Sequence, residues 1–330
     1  MSKWYSLGGA DNDVILYSKV RLARNLSDTP FKNKLSPEIK RSTVKKLYAC
    51  VKNSELAGEF ELIDLANQSN AQAAAYAERQ MISPEFAREK GAFLTTEDES
   101  VTIMLCEEDH IRISAFASGL EVEKAYRKAD KIDDVFLKNL PIAFDEKLGF
   151  LTASPINLGT GLKISVGLHL PAIKENGSIG RLSSLVGKLG LTLRPLYGEG
   201  SPFYQLTNHV TLGITEKEAM DNIASVALQI AMQERNLRAT MKNSEFWEDK
   251  LYRSMGTLKM ARRLSYAEFI ALASDIRLGA ALGYFDCDIN KITAMIHTMA
   301  DGNVLTAHGS EETPESVQKL RAQDVRNLSV

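Results

Sequence analysis

Short apolar runs and helical periods alternate along the chain until about residue 245, after which the strand pattern stops. Residues 13–17 read as a strand continuing through 18–24, where apolar and basic positions alternate. Val20 and Leu22 fall on one face, Lys19 and Arg21 on the other. Residues 101–105 and 113–116 read as two half-buried strands on either side of a charged connection, Cys106 to Arg112. Further strands are predicted at 60–65, at 142–151 as strand, tight turn and strand, at 164–170, at 191–194, and at 203–206 with 209–212. Ser36-Pro37-Glu38 opens a helix with an N-cap and a first-turn proline, and its apolar stripe is Ile39, Val44, Leu47, Tyr48 and Val51. An alanine-rich helix at 71–80 stops near Ile82-Ser83-Pro84, and others cover 119–134 and 179–189. Thr215-Glu216-Lys217-Glu218 is a capping box before a long helix whose apolar side holds Ile223, Val226, Ile230 and Met232. Ser265-Tyr266-Ala267-Glu268 caps another, and helices continue to about 299. A boundary near 245–255 gives domains at 1–250 and 251–330, with a loose tail after Asp301 before a basic stretch at 319–326.

Composition narrows the class. The 330 residues suffice for a large core, and 44% hydrophobic with 25% charged residues is ordinary for a soluble globular protein. A net charge of −2 gives no bulk attraction to nucleic acid or to a membrane, so any basic site is local. The N-terminus lacks an apolar signal region, and no apolar run reaches the roughly 18 residues of a membrane span. Cys50, Cys106 and Cys287 have no metal-ligand spacing and fit a reducing compartment, so the expected location is the cytoplasm and no metal ligands are assigned.

The candidate chemistry sits at strand ends. Glu107, Glu108, Asp109, His110 and Arg112 crowd one connection. An arginine on a rigid strand beside carboxylates can grip phosphate while a carboxylate takes a cation or proton; the alternative is a solvated turn. Lys19 and Arg21 on one strand face make a local anion site, or else a salt-bridged surface strand. Gly159-Thr160-Gly161 is a weak dinucleotide signal, since no third glycine or helix follows, and no Walker-type Gly-Lys-Ser occurs. Nucleotide phosphates would therefore be held by side-chain cations on a sheet. Arg194 ends a strand, and Glu199 lies between Gly198 and Gly200 in what reads as a loop that closes over a ligand or a plain surface turn. His209 reads equally as a packed strand residue or a ligand.

The stretches 18–24, 106–112, 154–163 and 194–199 resemble, in order and spacing, the catalytic domain of the phosphagen (ATP:guanido) kinases, over roughly residues 13–240. Without those kinases' small N-terminal helical domain, and with Leu168-His169-Leu170-Pro171-Ala172 and Tyr197-Gly198-Glu199-Gly200-Ser201, the chain is similar to the bacterial protein-arginine kinases of the McsB type. Its C-terminal part resembles that group's dimerisation and phosphoarginine-binding domain. The resemblance implies an α+β fold, a large mainly antiparallel sheet flanked by helices and followed by a helical domain. It implies ATP and Mg²⁺, with the phosphates at Lys19, Arg21, Arg112, Lys163 and Arg194. Ser18, Val20, Gln80, Ile164, Ser165, Val166, Gly167, Pro195, Leu196, Tyr197 and Gly198 stand at the neighbouring nucleotide-site positions.

A guanidinium, with a pKa above about 12, is a poor nucleophile until a base takes its proton. By resemblance that base is Glu108, Glu199 is the second carboxylate bracketing the group, and Ser154 stands where the family has a thiolate-forming cysteine. Other departures are lysine for arginine at 19 and 163, which gives a point charge without the fork, Cys106 for asparagine, Pro195 for glycine, and Gln80 for a histidine that packs on adenine. The phosphoarginine-reading Arg-Asp-x-x-Arg-Ala motif is reduced to Arg321-Ala322, with Val317-Gln318 at its start. The implied activity is ATP-dependent phosphorylation of arginine residues in proteins. The alternatives are a kinase of a small free guanidino compound and a catalytically impaired relative acting as a binding or adaptor module. Implied partners are arginine-bearing protein substrates, a second copy in a homodimer and an McsA-type activator.

Overall fold

A computed structural model describes residues 1–309 and 313–327. The strands are β1 (Ile15–Arg24), β2 (Glu61–Asp64), β3 (Ala92–Thr95), β4 (Val101–Leu105), β5 (Ile111–Ser118), β6 (Phe144–Asp145), β7 (Gly149–Phe150), β8 (Leu162–His169), β9 (Leu191–Pro195) and β10 (Phe203–Asn208). Eight of them form one sheet in the order β2-β3-β4-β5-β1-β8-β10-β9, and β6 with β7 forms a separate ribbon. Every pairing in the large sheet is antiparallel. The expected α+β architecture, a large antiparallel sheet with flanking helices and a helical C-terminal region, is the one found.

The two-residue period of the strands gives the sheet two unlike faces. Val20, Leu22, Ile113, Ala115, Ile164, Val166 and Leu206 point into the main core. There they meet α1 (Pro37–Lys52), α4 (Val122–Asn139), α6 (Ile179–Lys188) and α7 (Glu216–Met241). The Ser36 side chain caps α1, and Thr215 with Glu218 forms the predicted capping box on α7. The opposite face is divided. Tyr17, Phe116 and Phe203 occupy one end, beneath α9 (Tyr266–Leu282) and α10 (Ile289–Thr298). Lys19, Arg21, Arg112 and Lys163 occupy the other, where Arg21 pairs with Lys163 across β8 and with Ser114 across β5. Gly167 makes room for the tyrosine: a Cβ there would stand 2.4 Å from the Tyr17 ring.

Several expectations need correction. β4 is buried on both faces, because Met104 packs into a second cluster with Phe86 and Phe93 while Ile103 and Leu105 join the main core. The alanine-rich helix α2 (Asn70–Glu78) stops before the proline, through a left-handed Gln80 (φ 62°), and Pro84 instead opens a short helix, α3 (Pro84–Arg88), behind a Ser83 cap. Residues 209–212 are not strand. The Asn208 side chain accepts from the Ile164 N–H and donates to the Leu162 and Val210 carbonyls, so the ladder ends there. Ile39 and Met232 face solvent. The stretch after Asp301 is helical, as α11 (Asp301–His308) and α12 (Pro314–Asn327), because Val304, Val317, Ala322 and Val325 bury beside α8 (Glu245–Met260) and α9. Residues 310–312 of that stretch lie outside the described residues. Among the described residues no helix is long and apolar enough to cross a membrane.

The C-terminal helices are joined to the sheet at His169. Its Nδ1 faces the guanidiniums of Arg277 (3.1 Å) and Arg238 (3.3 Å). Both partners only donate, so Nδ1 accepts, and the ring proton on Nε2 points to Ser274 Oγ at 2.8 Å. Burial, then Arg277 and Arg238, hold His169 neutral, well below its ordinary pKa. Burial likewise pushes His297 down to about 4. The unfolded chain takes these protons near pH 6.5 while the fold refuses them, so stability is present above that pH and lost below it. The expected result is a loss of about 1.4 kcal/mol per pH unit for each such histidine below pH 6.5. Denaturant titrations from pH 7 to 5 read this slope, and His297→Phe should remove one histidine's share. A flat profile would contradict it.

Candidate active site

A cleft of about 500 Å³ opens on the cationic half of the sheet. Lys19, Arg21, Arg112, Lys163, Ser165, Gln205 and Thr207 floor it, and Gln80, Ser83, Pro84, Arg194, Leu196 and His209 are among its walls. Strand alternation does the sorting. Positions 19 and 21, 163 and 165, and 205 and 207 each differ by two and so share the face. The Lys19 ammonium donates to the Gln80 carbonyl (2.9 Å) and lies 4.6 Å from the centre of the Phe116 ring. Lys163 donates to the carbonyls of Asn208 (3.3 Å) and His209 (3.2 Å).

These cations crowd one another. Burial, then Arg21 and Arg112, push Lys19 down to about 7. Burial and Arg21 push Lys163 to about 8, and burial with Arg112 brings Arg21 to about 9. Such a site is built for a polyanion. An arriving triphosphate favours the charged lysines, so their pKa values rise and binding takes up protons. Affinity for ATP should therefore fall as pH rises from about 7 to 9. Calorimetry in buffers of different ionisation enthalpy measures the uptake, and pH-independent binding without uptake would refute the crowding argument.

Within the acidic connection the residues divide their work. Cys106 turns the chain in a left-handed conformation (φ 55°) and its N–H bonds the His110 carbonyl. Glu107 pairs closely with Arg112 and accepts from Ser83 Oγ (2.8 Å) and the Glu108 N–H (2.6 Å). Burial works to raise its pKa, but Arg112 and these donors outweigh that and hold it low. Asp109 accepts from Asn25 Nδ2 (2.6 Å) and the Ala153 N–H (2.7 Å), and His110 Nδ1 accepts from the Leu26 N–H (3.0 Å). Of the three acids, only Glu108 has a carboxylate that makes no hydrogen bond and is not buried. Its carboxylate stands 3.8 Å from Arg112, with the side chain 40% exposed. The Asp109–Ala153 bond brings the loop carrying Ser154 toward the same connection, although Ser154 itself does not line the cleft.

The other candidate residues scatter. Gln80 Oε1 accepts from the Tyr17 hydroxyl at 3.0 Å. The Ser18, Val20, Ile164 and Val166 side chains alternate away from the cleft: Ser18 bonds the Gly119 carbonyl, and the other three lie in the core. Gly167 lies under Tyr17. The Tyr197 ring is packed on Phe203 and Tyr266, while Pro195, Gly198 and Glu199 are exposed. Neither Glu108 nor Glu199 lines the cleft, and Glu108 adjoins it through Arg112. Arg321 is 1% exposed and donates to Met299 O (2.6 Å), Leu264 O (2.8 Å) and Asp301. It is therefore not presented to an outside ligand. Gln205 and Thr207 went unassigned in the sequence; polar residues two apart in an otherwise apolar strand were the available signal.

Comparison with known proteins identifies the family of the chain. Residues 42–237 match the ATP:guanido phosphotransferase C-terminal catalytic domain, and residues 244–329 match the protein-arginine kinase McsB C-terminal domain. The chain is 38% identical over 300 residues to the protein-arginine kinase of Clostridium acetobutylicum, covering 88% of each. It is 35% identical over 336 residues to that of Clostridium tetani, covering 99% of this chain and 98% of the relative. Among solved structures, lombricine kinase shares the fold, with a TM-score of 0.61 at 18% identity over 71% of this chain and 69% of that one. A catalytic-domain match over more than half the chain, with relatives of this identity along nearly its full length, means that the chain belongs to the ATP:guanido phosphotransferase family, alongside the protein-arginine kinases.

Proposed function

We propose that this chain transfers the γ-phosphoryl group of ATP to the guanidinium of arginine residues in proteins. The observation that carries the reading is a sheet face bearing Lys19, Arg21, Arg112 and Lys163, with the one uncommitted carboxylate of the acidic connection, Glu108, beside Arg112. The nucleotide phosphates lie over these cations, with Arg194 at the rim. Phosphoryl transfer asks mainly for in-line positioning and charge neutralisation, which fixed strand-borne cations provide. Glu108 takes a proton from the guanidinium, the freed nitrogen bonds to the γ-phosphorus, and the bond to the β-phosphate oxygen breaks to leave ADP. Mg²⁺ would arrive with the nucleotide and help neutralise its phosphates. Glu199 joins the acceptor only if its loop moves. Gly198 (φ 100°) and Gly200 (φ 84°) flank it in backbone conformations that other residues rarely adopt. Residues 1–250 carry the chemistry and 251–330 the helical partner domain. The free thiols suit the cytoplasm. A homodimer and an McsA-type activator follow from the family resemblance.

The test incubates the full chain with Mg-ATP and casein, with free arginine in parallel, and reads acid-labile phosphoarginine by mass spectrometry. Modified casein is expected. Modification of free arginine alone would favour a small-molecule guanidino kinase. ATP binding with neither product, also in the presence of an activator, would favour the adaptor reading, which the exposed Glu199 and the serine at 154 independently suggest.

A further inference from the structure

The wall of the cleft is held from outside the sheet. Glu78, in the last turn of α2, accepts from the N–H groups of Gly302 (2.8 Å) and Asn303 (2.9 Å) and from Asn303 Nδ2 (2.7 Å). A carboxylate of α2 therefore caps the first turn of α11, where unpaired N–H groups and the helix dipole favour negative charge. The next residue, Arg79, donates to Asn303 Oδ1 (2.5 Å) and to Glu99 (2.9 Å). The one after it is Gln80, whose carbonyl receives Lys19 and whose side chain receives Tyr17. Three successive residues thus run from a C-terminal helix to the cationic floor.

The contact also has a steric requirement. A Cβ on Gly302 would stand 2.8 Å from Ala74 Cβ and from the Ala75 nitrogen, and 2.9 Å from the Ala71 carbonyl oxygen. The two helices therefore meet backbone to backbone, and only glycine fits. Asp301, the preceding residue, is fixed by Arg321 of α12. We infer that Glu78 and Gly302 are positioning residues for the nucleotide: the placement of α11 sets where Gln80 and the Lys19 ammonium stand, and thereby sets the affinity for ATP. The inference rests on the kinase reading only in placing ATP in this cleft.

The experiment compares Glu78→Gln, Gly302→Val and a control, Val325→Ala, which loosens α12 in the core beneath without touching α2. ATP dissociation constants by calorimetry, KM and kcat, and melting temperatures are measured on the full chain. Glu78→Gln should weaken ATP binding and raise KM for ATP by about fivefold, in the range of ordinary coupling between sites, with kcat and KM for casein within about twofold. Gly302→Val should do so by tenfold or more, and Val325→Ala should lower the melting temperature while leaving ATP affinity alone. If both α2–α11 variants melt earlier yet bind ATP within twofold of wild type, the contact is structural only and the inference is overturned. Binding decides the matter even if no arginine is phosphorylated. A wild-type chain that does not bind ATP would remove the kinase reading and this inference with it.

Discussion

Glu108→Gln should lower phosphoarginine formation by about a thousandfold, within the usual contribution of a positioned base, with little change in KM for ATP. Glutamine keeps the size of the side chain beside Arg112 but cannot accept the guanidinium proton. The nucleophile would have to form without help from a group whose solution pKa exceeds about 12. ATP itself should bind as well or slightly better, since one negative charge leaves the neighbourhood of its phosphates. Glu107→Gln makes the contrasting control. Glu107 is spent on Arg112, Ser83 and its own chain, so its loss should loosen Arg112 and raise KM for ATP. Activity in Glu108→Gln within tenfold of wild type would exclude it as the base.

Arg21→Met should act in opposite directions on activity and stability. Arg21 lies between Lys163 and Ser114 in the sheet, and no hydrogen bond ranks among the influences on its guanidinium, only burial and neighbouring charges. Losing a cation that stabilises a transferring phosphoryl group typically costs about a thousandfold or more in rate. In the empty protein, however, that guanidinium depresses both Lys19 and Lys163, and methionine keeps the apolar stem while removing the repulsion. We expect kcat/KM to fall about a thousandfold and the melting temperature without nucleotide to rise by about 2 °C, the equivalent of roughly 1 kcal/mol. The pH dependence of ATP binding should become shallower, because each lysine loses one of the influences that depress it while burial remains. A lower melting temperature would show that Arg21 is needed by the fold rather than tolerated for catalysis.

What could be read in the chain beforehand follows from how far each determinant reaches. The faces of β1 were legible because Lys19 and Arg21 alternate with Val20 and Leu22 over neighbouring positions, and the caps at Ser36 and Thr215 are equally local. The roles within Glu107-Glu108-Asp109 were only partly legible. Glu107 and Asp109 are committed by Ser83, Asn25 and Ala153, partners 24 to 84 positions away in the chain. The end of β10 depended on Asn208 reaching across to β8, and β4 is buried twice over because a second cluster forms behind it. The outward position of Glu199 and the sequestered Arg321 are likewise tertiary facts with no local signature.

The central place of β1 also governs how the protein is made. Its neighbours are β5 and β8, and the second of these comes from residues 162–169. Both neighbours are made later, so at ordinary synthesis rates of about 5–20 residues per second β1 waits on the order of ten seconds, first with both edges open and then, once β5 has emerged, with one. During that interval an apolar-and-basic strand is available to other nascent chains, and long-range pairing of this kind is slow even once the partner is present. Shielding β1 during translation should therefore raise the yield of native protein, and co-expressed chaperones should do so more than mutations that stabilise the finished fold.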